Sequence, residues 1–405
     1  MEWMPDVLGD EFEQLTLPLG EDDEGEVVAT LVRALPPEHQ WWQQLKGERP
    51  ELDDVDVLYV HGWSDYFFQK RLARVFTGRG ARFHALDLRK YGRSLRPGQT
   101  PGYITDLAEY DADIAAALAA MGQPEPALRD DGGADVLHEA RERLAAEENA
   151  AAGGLAGASA EGGAPEPHEE SWIRTWPLWR WASQERTEQG HAGQRRRRRL
   201  ILVAHSTGGL ILSLWAHRHP DAADAVILNS PWLEFQLPRR GREAFAPLVE
   251  LSARYRPYDR APQIDLGFYT RAQQAVADPD DPVEVNLEWR PEQTMAVHAG
   301  WLHAVLAGHA AVAGGLDIPA SVCVLLSSRF APPTAWSDEL TRVDSVLVVD
   351  DIARAALKLG PVVTVVRVDG ALHDVFLSRH EAREEAYRRL GDWLTGWAAT
   401  NPAPE

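Results

Sequence analysis

Cysteine and long apolar runs are the scarcest features of this 405-residue chain. Cys323 is the single cysteine, so no disulfide can form within the chain, and its apolar surroundings predict a buried small hydrophobic residue. No segment holds about 18 consecutive apolar residues, which predicts that no transmembrane helix is present. The acidic opening, MEWMPDVLGDEFE, is unlike a signal peptide. We expect a soluble cytoplasmic protein, and the sequence leaves its oligomeric state open.

Basic charge is also in short supply. The chain has 41 Lys and Arg against 62 Asp and Glu, a net charge of −21, which argues against nucleic acid and anionic membranes as partners. The arginine run at 195–199 is interpreted as a solvated flank. No Gly-x-Gly-x-x-Gly or P-loop motif is present, so we predict no nucleotide cofactor. His298, His303 and His309 are spaced five and six apart rather than four, which argues against a helical metal pair.

Continuously apolar strands alternate with helical patterns through most of the chain. DVLYVHG, LILVAHS, DAVILNS and ASVCVLLSS have the composition of strands buried on both faces. This alternation predicts an α/β fold with a mostly parallel central sheet flanked by helices. We divide it into core segments 1–121, 199–231 and 317–405. Residues 122–198 are predicted to be a low-complexity, disordered insertion, and residues 232–316 a helical lid over the carboxyl ends of the strands.

Ser206 stands where the strand LILVAHS ends and a helix begins. A nucleophile on such a sharp strand-to-helix turn needs small residues two positions away on each side, because larger side chains would collide. Ala204 and Gly208 meet this need, with Ala in place of the usual first Gly. The helix behind the serine also directs free N–H groups towards developing negative charge. The competing interpretation is a serine that only caps the helix.

A serine hydroxyl needs a base to accept its proton. In folds of this type the base is a histidine late in the chain, on the loop between the last strand and the closing helix. His373, in VDGALHDVFLS, has that position, whereas His380 at the start of the closing helix is a weaker candidate.

The acid that orients the histidine is expected on the loop after SVCVLLSS. That loop offers four aspartates, which are Asp338, Asp344, Asp350 and Asp351. Helix capping explains the last two, and Asp338 lies in the middle of the loop. We favour Asp344, six residues before the helix, and leave the others open. The preceding strand ends at Asn229 and Ser230, which are not acids.

Two backbone N–H groups are needed to bind the oxyanion of a tetrahedral intermediate. Thr207, directly after the nucleophile, is expected to supply one of them. The second is assigned to Trp63, because His61-Gly62 at the end of a buried strand allows the backbone to turn in closely.

Four stretches of the chain together resemble a known family. VLYVHGWSDYFF, ALDLRKYGRSL, LILVAHSTGGL and GALHDVFLS resemble the α/β-hydrolases of the serine aminopeptidase S33 / monoacylglycerol lipase–lysophospholipase type, over roughly residues 10–121 and 199–397. The resemblance implies a Ser-His-Asp triad and a helical lid. Carried over by position, the nucleophile is Ser206, the base His373 and the oxyanion donors Trp63 and Thr207. The family has an aspartate directly after the strand where this chain has SSRF, and an insertion moves the best candidate to Asp344.

These features predict a serine hydrolase that cleaves carboxylic esters without a metal or cofactor. The resemblance and the aromatic composition of the lid favour medium or long acyl chains, as in monoacylglycerols or lysophospholipids. One alternative is a serine aminopeptidase, which would need a lid carboxylate such as Glu243, Glu250 or Glu284 to bind a substrate amine. Another alternative is a non-catalytic protein of the same fold that binds a small ligand.

Overall fold

A twisted nine-stranded sheet forms the centre of the computed structural model, which describes residues 2–36, 49–129, 197–235, 249–261, 265–279 and 281–402. The strands are β1 (Met4–Pro5), β2 (Phe12–Asp22), β3 (Gly25–Ala34), β4 (Val55–Val60), β5 (Arg82–Asp87), β6 (Arg199–His205), β7 (Ala225–Asn229), β8 (Ser321–Ser327) and β9 (Val363–Val368). Their spatial order is β1-β2-β3-β5-β4-β6-β7-β8-β9. In this order, the pairs β1·β2, β2·β3 and β3·β5 are antiparallel. All the remaining neighbours, from β5·β4 to β8·β9, are parallel.

Helices cover both faces of the sheet. They are α1 (Lys70–Thr77), α2 (Tyr110–Met121), α3 (Thr207–Arg218), α4 (Phe268–Ala275), α5 (Ala299–Gly314), α6 (Val349–Ala356) and α7 (His380–Thr400). One apolar cluster joins α2, α3, α5 and α6 to the sheet, and a second joins α1 and α7 to the opposite face. Leu202 of β6 belongs to the first cluster and its neighbour Val203 to the second, as the alternation of side chains along a strand requires. The predicted α/β fold with a mostly parallel sheet is confirmed.

The lone cysteine lies in the middle of this sheet. Cys323 on β8 is fully buried, and burial raises the pKa of its thiol to about 12. A thiol that stays protonated is unreactive, so Cys323 acts here as a small apolar residue. None of the helices in the described ranges is long and apolar enough to cross a membrane.

The predicted insertion at 122–198 falls almost entirely outside the described residues. The end of the arginine run is described, and its three side chains pair with aspartates at the amino-terminal edge of the sheet. Arg197 lies 2.8 Å from Asp224, Arg198 2.7 Å from Asp56, and Arg199 2.7 Å from Asp54. These contacts neutralise the charge of residues 197–199 within the fold.

The predicted lid region lies between β7 and β8. Its described parts include a helical turn at 249–255 and the helices α4 and α5. Helix α5 packs on α3 so closely that a Cβ on Gly308 would lie 3.1 Å from Leu214. This helix therefore belongs to the packed core, whereas α4 and residues 286–295 lie around the opening above the sheet.

Candidate active site

Ser206 lies in a strained turn between β6 and α3. Its φ of 51° and ψ of −118° are rare for a residue with a side chain. The Ser206 N–H donates to the Asn229 carbonyl at 3.0 Å, and the Ser206 carbonyl accepts from the N–H groups of Gly209 and Trp232, both at 2.9 Å. The side chain makes no capping hydrogen bond to α3, which removes the helix-cap explanation of this serine.

The Ser206 hydroxyl is hydrogen-bonded to His373 instead. His373 Nε2 lies 3.0 Å from Ser206 Oγ, and His373 Nδ1 lies 2.9 Å from Asp344 Oδ2. Because a carboxylate only accepts, Nδ1 carries the proton and Nε2 is left free to accept from the hydroxyl. Asp344 is fully buried, and its Oδ1 accepts from the N–H groups of Val346 and Leu347 at 2.7 and 2.8 Å. The three side chains therefore have the relative geometry of a catalytic triad.

The loop after β8 leaves the sheet and returns before it reaches Asp344. Phe330 and Asp344 form a parallel bridge, in which the Asp344 N–H donates to Arg329 O and the Ala331 N–H donates to Asp344 O, both at 3.0 Å. Residues 331–343 thus form an excursion whose two ends meet next to the strand. The bridge puts Asp344 close to where an aspartate directly after β8 would stand.

The other candidate acids and the second histidine lie elsewhere. Asp338 is exposed in a short 3-10 turn, Asp350 pairs with Arg367 at 2.7 Å, and Asp351 pairs with Arg354. His380 is exposed and lies 3.1 Å from Asp278. Of these four side chains, none is hydrogen-bonded to Ser206 or His373 in the described structure.

Trp63 and Thr207 present free backbone N–H groups on either side of Ser206. Within the described residues, neither N–H donates to another group. Gly62 brings the two loops together, since a Cβ there would lie 3.0 Å from the Cβ of Ser206. Free amides can bind an oxyanion, so the predicted role of these two N–H groups stays a prediction.

Two further histidines near the site are structural. The His61 Nδ1–H donates to Gly62 O at 2.8 Å, while Nε2 accepts from the Leu88 N–H at 3.1 Å, and burial lowers the pKa of this ring. The His205 Nδ1–H donates to Asn229 O at 3.1 Å, and burial lowers its pKa to about 4 against the opposing effect of Asp374. Both rings are therefore neutral near pH 7 and hold the loops around Ser206. Among the residues described, no group of three or more His, Cys, Asp or Glu side chains could hold a metal ion.

Solved structures share this architecture. A monoglyceride lipase from Saccharomyces cerevisiae matches with a TM-score of 0.50 and 13% identity, over 97% of this chain and 99% of that one. A monoacylglycerol lipase from Paleococcus ferrophilus matches with a TM-score of 0.49 and 17% identity, over 84% of this chain and 94% of that one. The chain has the α/β-hydrolase fold. Residues 185–288, about a quarter of the chain, match the family model "Serine aminopeptidase, S33". No curated protein matches the sequence.

A cavity of about 510 Å³ opens beside Ser206. Aromatic and aliphatic side chains form most of its wall, including Trp63, Trp232, Phe268, Phe330, Val346 and Leu347. The aromatic residues of the predicted lid do not share one role. Trp232, Phe268 and Tyr269 line the cavity, Trp301 packs on Trp63 with ring centroids 3.9 Å apart, and Tyr255 is 69% exposed. An apolar cavity of this size suits a small organic ligand.

A buried ion pair in the cavity wall was not foreseen from the sequence. Asp65 Oδ1 lies 3.0 Å from Arg290 Nε, and burial raises the pKa of Asp65 to about 7 although Arg290 opposes the shift. Asp65 follows Trp63 by two residues, and the adjacent Ser64 Oγ accepts from the Met295 N–H at 3.0 Å. The segment around 290 is therefore attached to the loop that carries Trp63. The sequence HGWSD shows the aspartate but gives no sign of a partner about 225 residues away.

Proposed function

We propose that this protein is a serine hydrolase of carboxylic esters. The observation that carries the proposal is the hydrogen-bonded series Ser206–His373–Asp344, with distances of 3.0 and 2.9 Å, at the mouth of an apolar cavity. A protein that only bound a ligand would not need a strained serine aligned with a histidine and a buried aspartate.

Each residue has one role in the proposed reaction. Ser206 Oγ attacks the ester carbonyl carbon while His373 Nε2 takes the hydroxyl proton, and the N–H groups of Trp63 and Thr207 hold the resulting oxyanion. The C–O bond then breaks, and the leaving alcohol takes the proton from His373. Water attacks the acyl-enzyme with His373 again as the base, which releases the acid and regenerates Ser206. Asp344 accepts from the Nδ1–H of His373 and so fixes the tautomer and orientation of this ring.

The cavity supports an apolar acyl group as the preferred substrate feature. Its volume of about 510 Å³ is within the usual range for small-molecule pockets, and its wall next to Ser206 is mostly aromatic and aliphatic. Medium or long acyl esters, including monoacylglycerol-like and lysophospholipid-like substrates, are the class we propose. Monoacylglycerols are included because a solved structure with the same fold is a monoglyceride lipase.

Among the described residues, no carboxylate is well placed to bind the substrate amine that the aminopeptidase alternative requires. Glu250 and Glu284 are described but do not line the cavity, and Glu243 lies outside the described residues. The carboxylates that do line the cavity are Asp65, which faces Arg290, and Asp265, which accepts the N–H groups of Gly267 and Thr294. Both are already engaged, which favours esters over peptides with a free α-amine.

Labelling with a fluorophosphonate probe tests the nucleophile. The native protein should be labelled and Ser206→Ala should not, whereas Ser213→Ala should be labelled like the native protein. Ser213 is the matched control because it lies on the same helix, with its hydroxyl donating to Gly209 O at 2.6 Å. Persistent labelling of Ser206→Ala would show that another residue is the nucleophile.

A substrate panel tests the reaction class. The kcat/KM values for p-nitrophenyl esters with acyl chains of two to twelve carbons should be compared with those for aminoacyl p-nitroanilides at equal enzyme concentration. We expect kcat/KM to be highest for a medium or long ester and negligible for the anilides. A preference for anilides would support the aminopeptidase alternative, and no turnover without any labelling would support a binding protein.

A further inference from the structure

Asn229, at the carboxyl end of β7, contacts both loops that carry the proposed nucleophile and base. Its backbone carbonyl accepts from the Ser206 N–H at 3.0 Å and from the His205 ring at 3.1 Å. Its side-chain Nδ2 donates to Asp374 Oδ1 at 2.7 Å, and its Oδ1 accepts from the Val375 N–H at 3.2 Å. One residue therefore links the turn at Ser206 to the two residues that directly follow His373.

Asp374 is the other half of this link. It is 1% exposed, and its Oδ1 also accepts from the Phe376 N–H at 3.0 Å while its Oδ2 accepts from Gln69 Nε2 at 3.2 Å. A buried carboxylate held by three donors fixes the backbone around it. Because Asp374 is bonded to His373 through one peptide group, its position limits where the imidazole can lie.

The orientation of the Asn229 amide follows from its partners. Nδ2 must face the Asp374 carboxylate, which accepts, and Oδ1 must face the Val375 N–H, which donates. An aspartate at position 229 would satisfy Val375 but would bring a second carboxylate to within 2.7 Å of the first. Two carboxylates so close can share one proton but cannot both be ionised without repulsion.

We propose that Asn229 is a positioning residue, which holds His373 in line with Ser206 through its side-chain contact with Asp374 and Val375. This inference rests on the proposed serine-hydrolase function and adds a fourth side chain to the machinery. Asn229 touches no substrate and acts through the loop that carries the base. Its loss should lower kcat and leave KM nearly unchanged, because the cavity wall does not include it.

Four proteins test the link through their pH profiles, namely the native enzyme, Asn229→Asp, Asp374→Asn and the double variant. A general base acts in its neutral form, so native kcat should rise with pH to a plateau. Asn229→Asp alone has two facing carboxylates. This variant should be active while the carboxyl groups at positions 229 and 374 share a proton. Its kcat should fall by about tenfold to a hundredfold as the second carboxyl group ionises, because repulsion would move the loop that carries His373 and so displace the base from Ser206.

The other two variants serve as matched controls. Asp374→Asn has two amides, and Gln69 can turn its unpartnered Oε1 towards the new amide. The double variant has one carboxylate and one amide with the roles exchanged. Neither has two carboxylates, so neither should show the fall in kcat at high pH.

The ionisable groups around this link are common to all four proteins. Those that interact with Asp374 are Asp65, Arg290, His205, Tyr59, Tyr269 and Tyr387. An effect of Asp65 ionisation on kcat would therefore appear in the pH profiles of all four proteins, and it would not affect the difference between the profile of a variant and that of the native enzyme.

Active sites should be counted by fluorophosphonate titration and folding checked by thermal melts at each pH. If Asn229→Asp does not fold, Asn229→Ala replaces it, and kcat about tenfold or more below native with unchanged KM is expected. An Asn229→Asp profile that parallels the native one, or Asn229→Ala with native kcat, would overturn the inference. Either result with active, labelled native enzyme would leave the proposed ester hydrolysis intact, whereas an unlabelled, inactive native enzyme would remove both.

Discussion

Replacement of Gly208 by alanine tests whether the nucleophile turn needs its small residues. A Cβ at position 208 would lie 2.3 Å from His61 O and 2.6 Å from Val60 O, at the end of β4. Non-bonded heavy atoms are in good contact at about 3.5–4.0 Å, so the start of α3 would have to move by roughly 1 Å away from β4. Both carbonyls are backbone groups, on the last residue of β4 and on the residue that follows it, so neither can rotate away as a side chain would.

This displacement would separate the two halves of the proposed oxyanion site. Thr207 would move with α3, while Trp63 would stay with the loop after β4. A misplacement of about 1 Å can cost about a hundredfold in rate, and overpacking typically costs about 1–3 kcal/mol of stability. We therefore expect Gly208→Ala to lose about a hundredfold in kcat on a p-nitrophenyl ester and to have a lower Tm.

Gly396→Ala is the matched control for this substitution. Gly396 also lies in a helix, α7, but a Cβ there would meet nothing within 4 Å. Alanine is favoured over glycine in a helix by about 0.5–1 kcal/mol, so Gly396→Ala should be slightly more stable with native kcat. Steady-state kinetics and calorimetry on both variants measure these effects. A Gly208→Ala enzyme with kcat within twofold of native would refute the steric argument.

Three other perturbations have definite expected outcomes. Asp344→Asn should lower kcat by about 10³–10⁴-fold on the ester substrate, because the imidazole loses its orienting acceptor, whereas Asp338→Asn should keep native kcat. Burial lowers the pKa of His84 to about 4, below its unfolded value of 6.5, so the native state should lose stability between pH 6.5 and pH 4. Urea unfolding of His84→Gln should show a smaller loss over that range, and an equal loss would contradict the assignment. Burial raises the pKa of Asp65 to about 7, so ionisation of this carboxyl group opposes folding above pH 4. The free energy of unfolding of Asp65→Asn should therefore rise relative to that of the native protein between pH 4 and pH 7, and a difference that stays constant over this range would contradict the argument.

The fold could be predicted because its central strands depend on local patterns. Runs such as VLYV and LILVA are apolar at every residue, as expected of short strands that are covered on both faces. The strands β4 and β6 that these runs form are fully buried and adjacent in the sheet. The antiparallel edge of β1, β2 and β3 follows less directly, because its alternation is partial and its pairing depends on contacts with β5.

The candidate site can be predicted from the sequence to different degrees for different residues. Ser206 and Gly208 form a pattern within a few residues, so the sequence alone indicates them. His373 follows from its place between the last strand and the closing helix. Asp344 is harder, because several aspartates follow β8 and only the Phe330–Asp344 bridge separates it from Asp338. That bridge is a tertiary contact across an excursion of irregular chain, and no local propensity encodes it.

Asn229 shows where such prediction stops. From the sequence it is only a strand end without an acid, which gives no reason to assign it a role in the site. Its contacts with Asp374 and Val375 lie 145 and 146 residues away along the chain, so no spacing rule relates them. A triad needs particular residue types, which leave a recognisable pattern, whereas a link between two loops needs only complementary donors and acceptors at one place. The sequence therefore indicates the residues of the proposed triad, whereas the contacts that align them are found only in the structure.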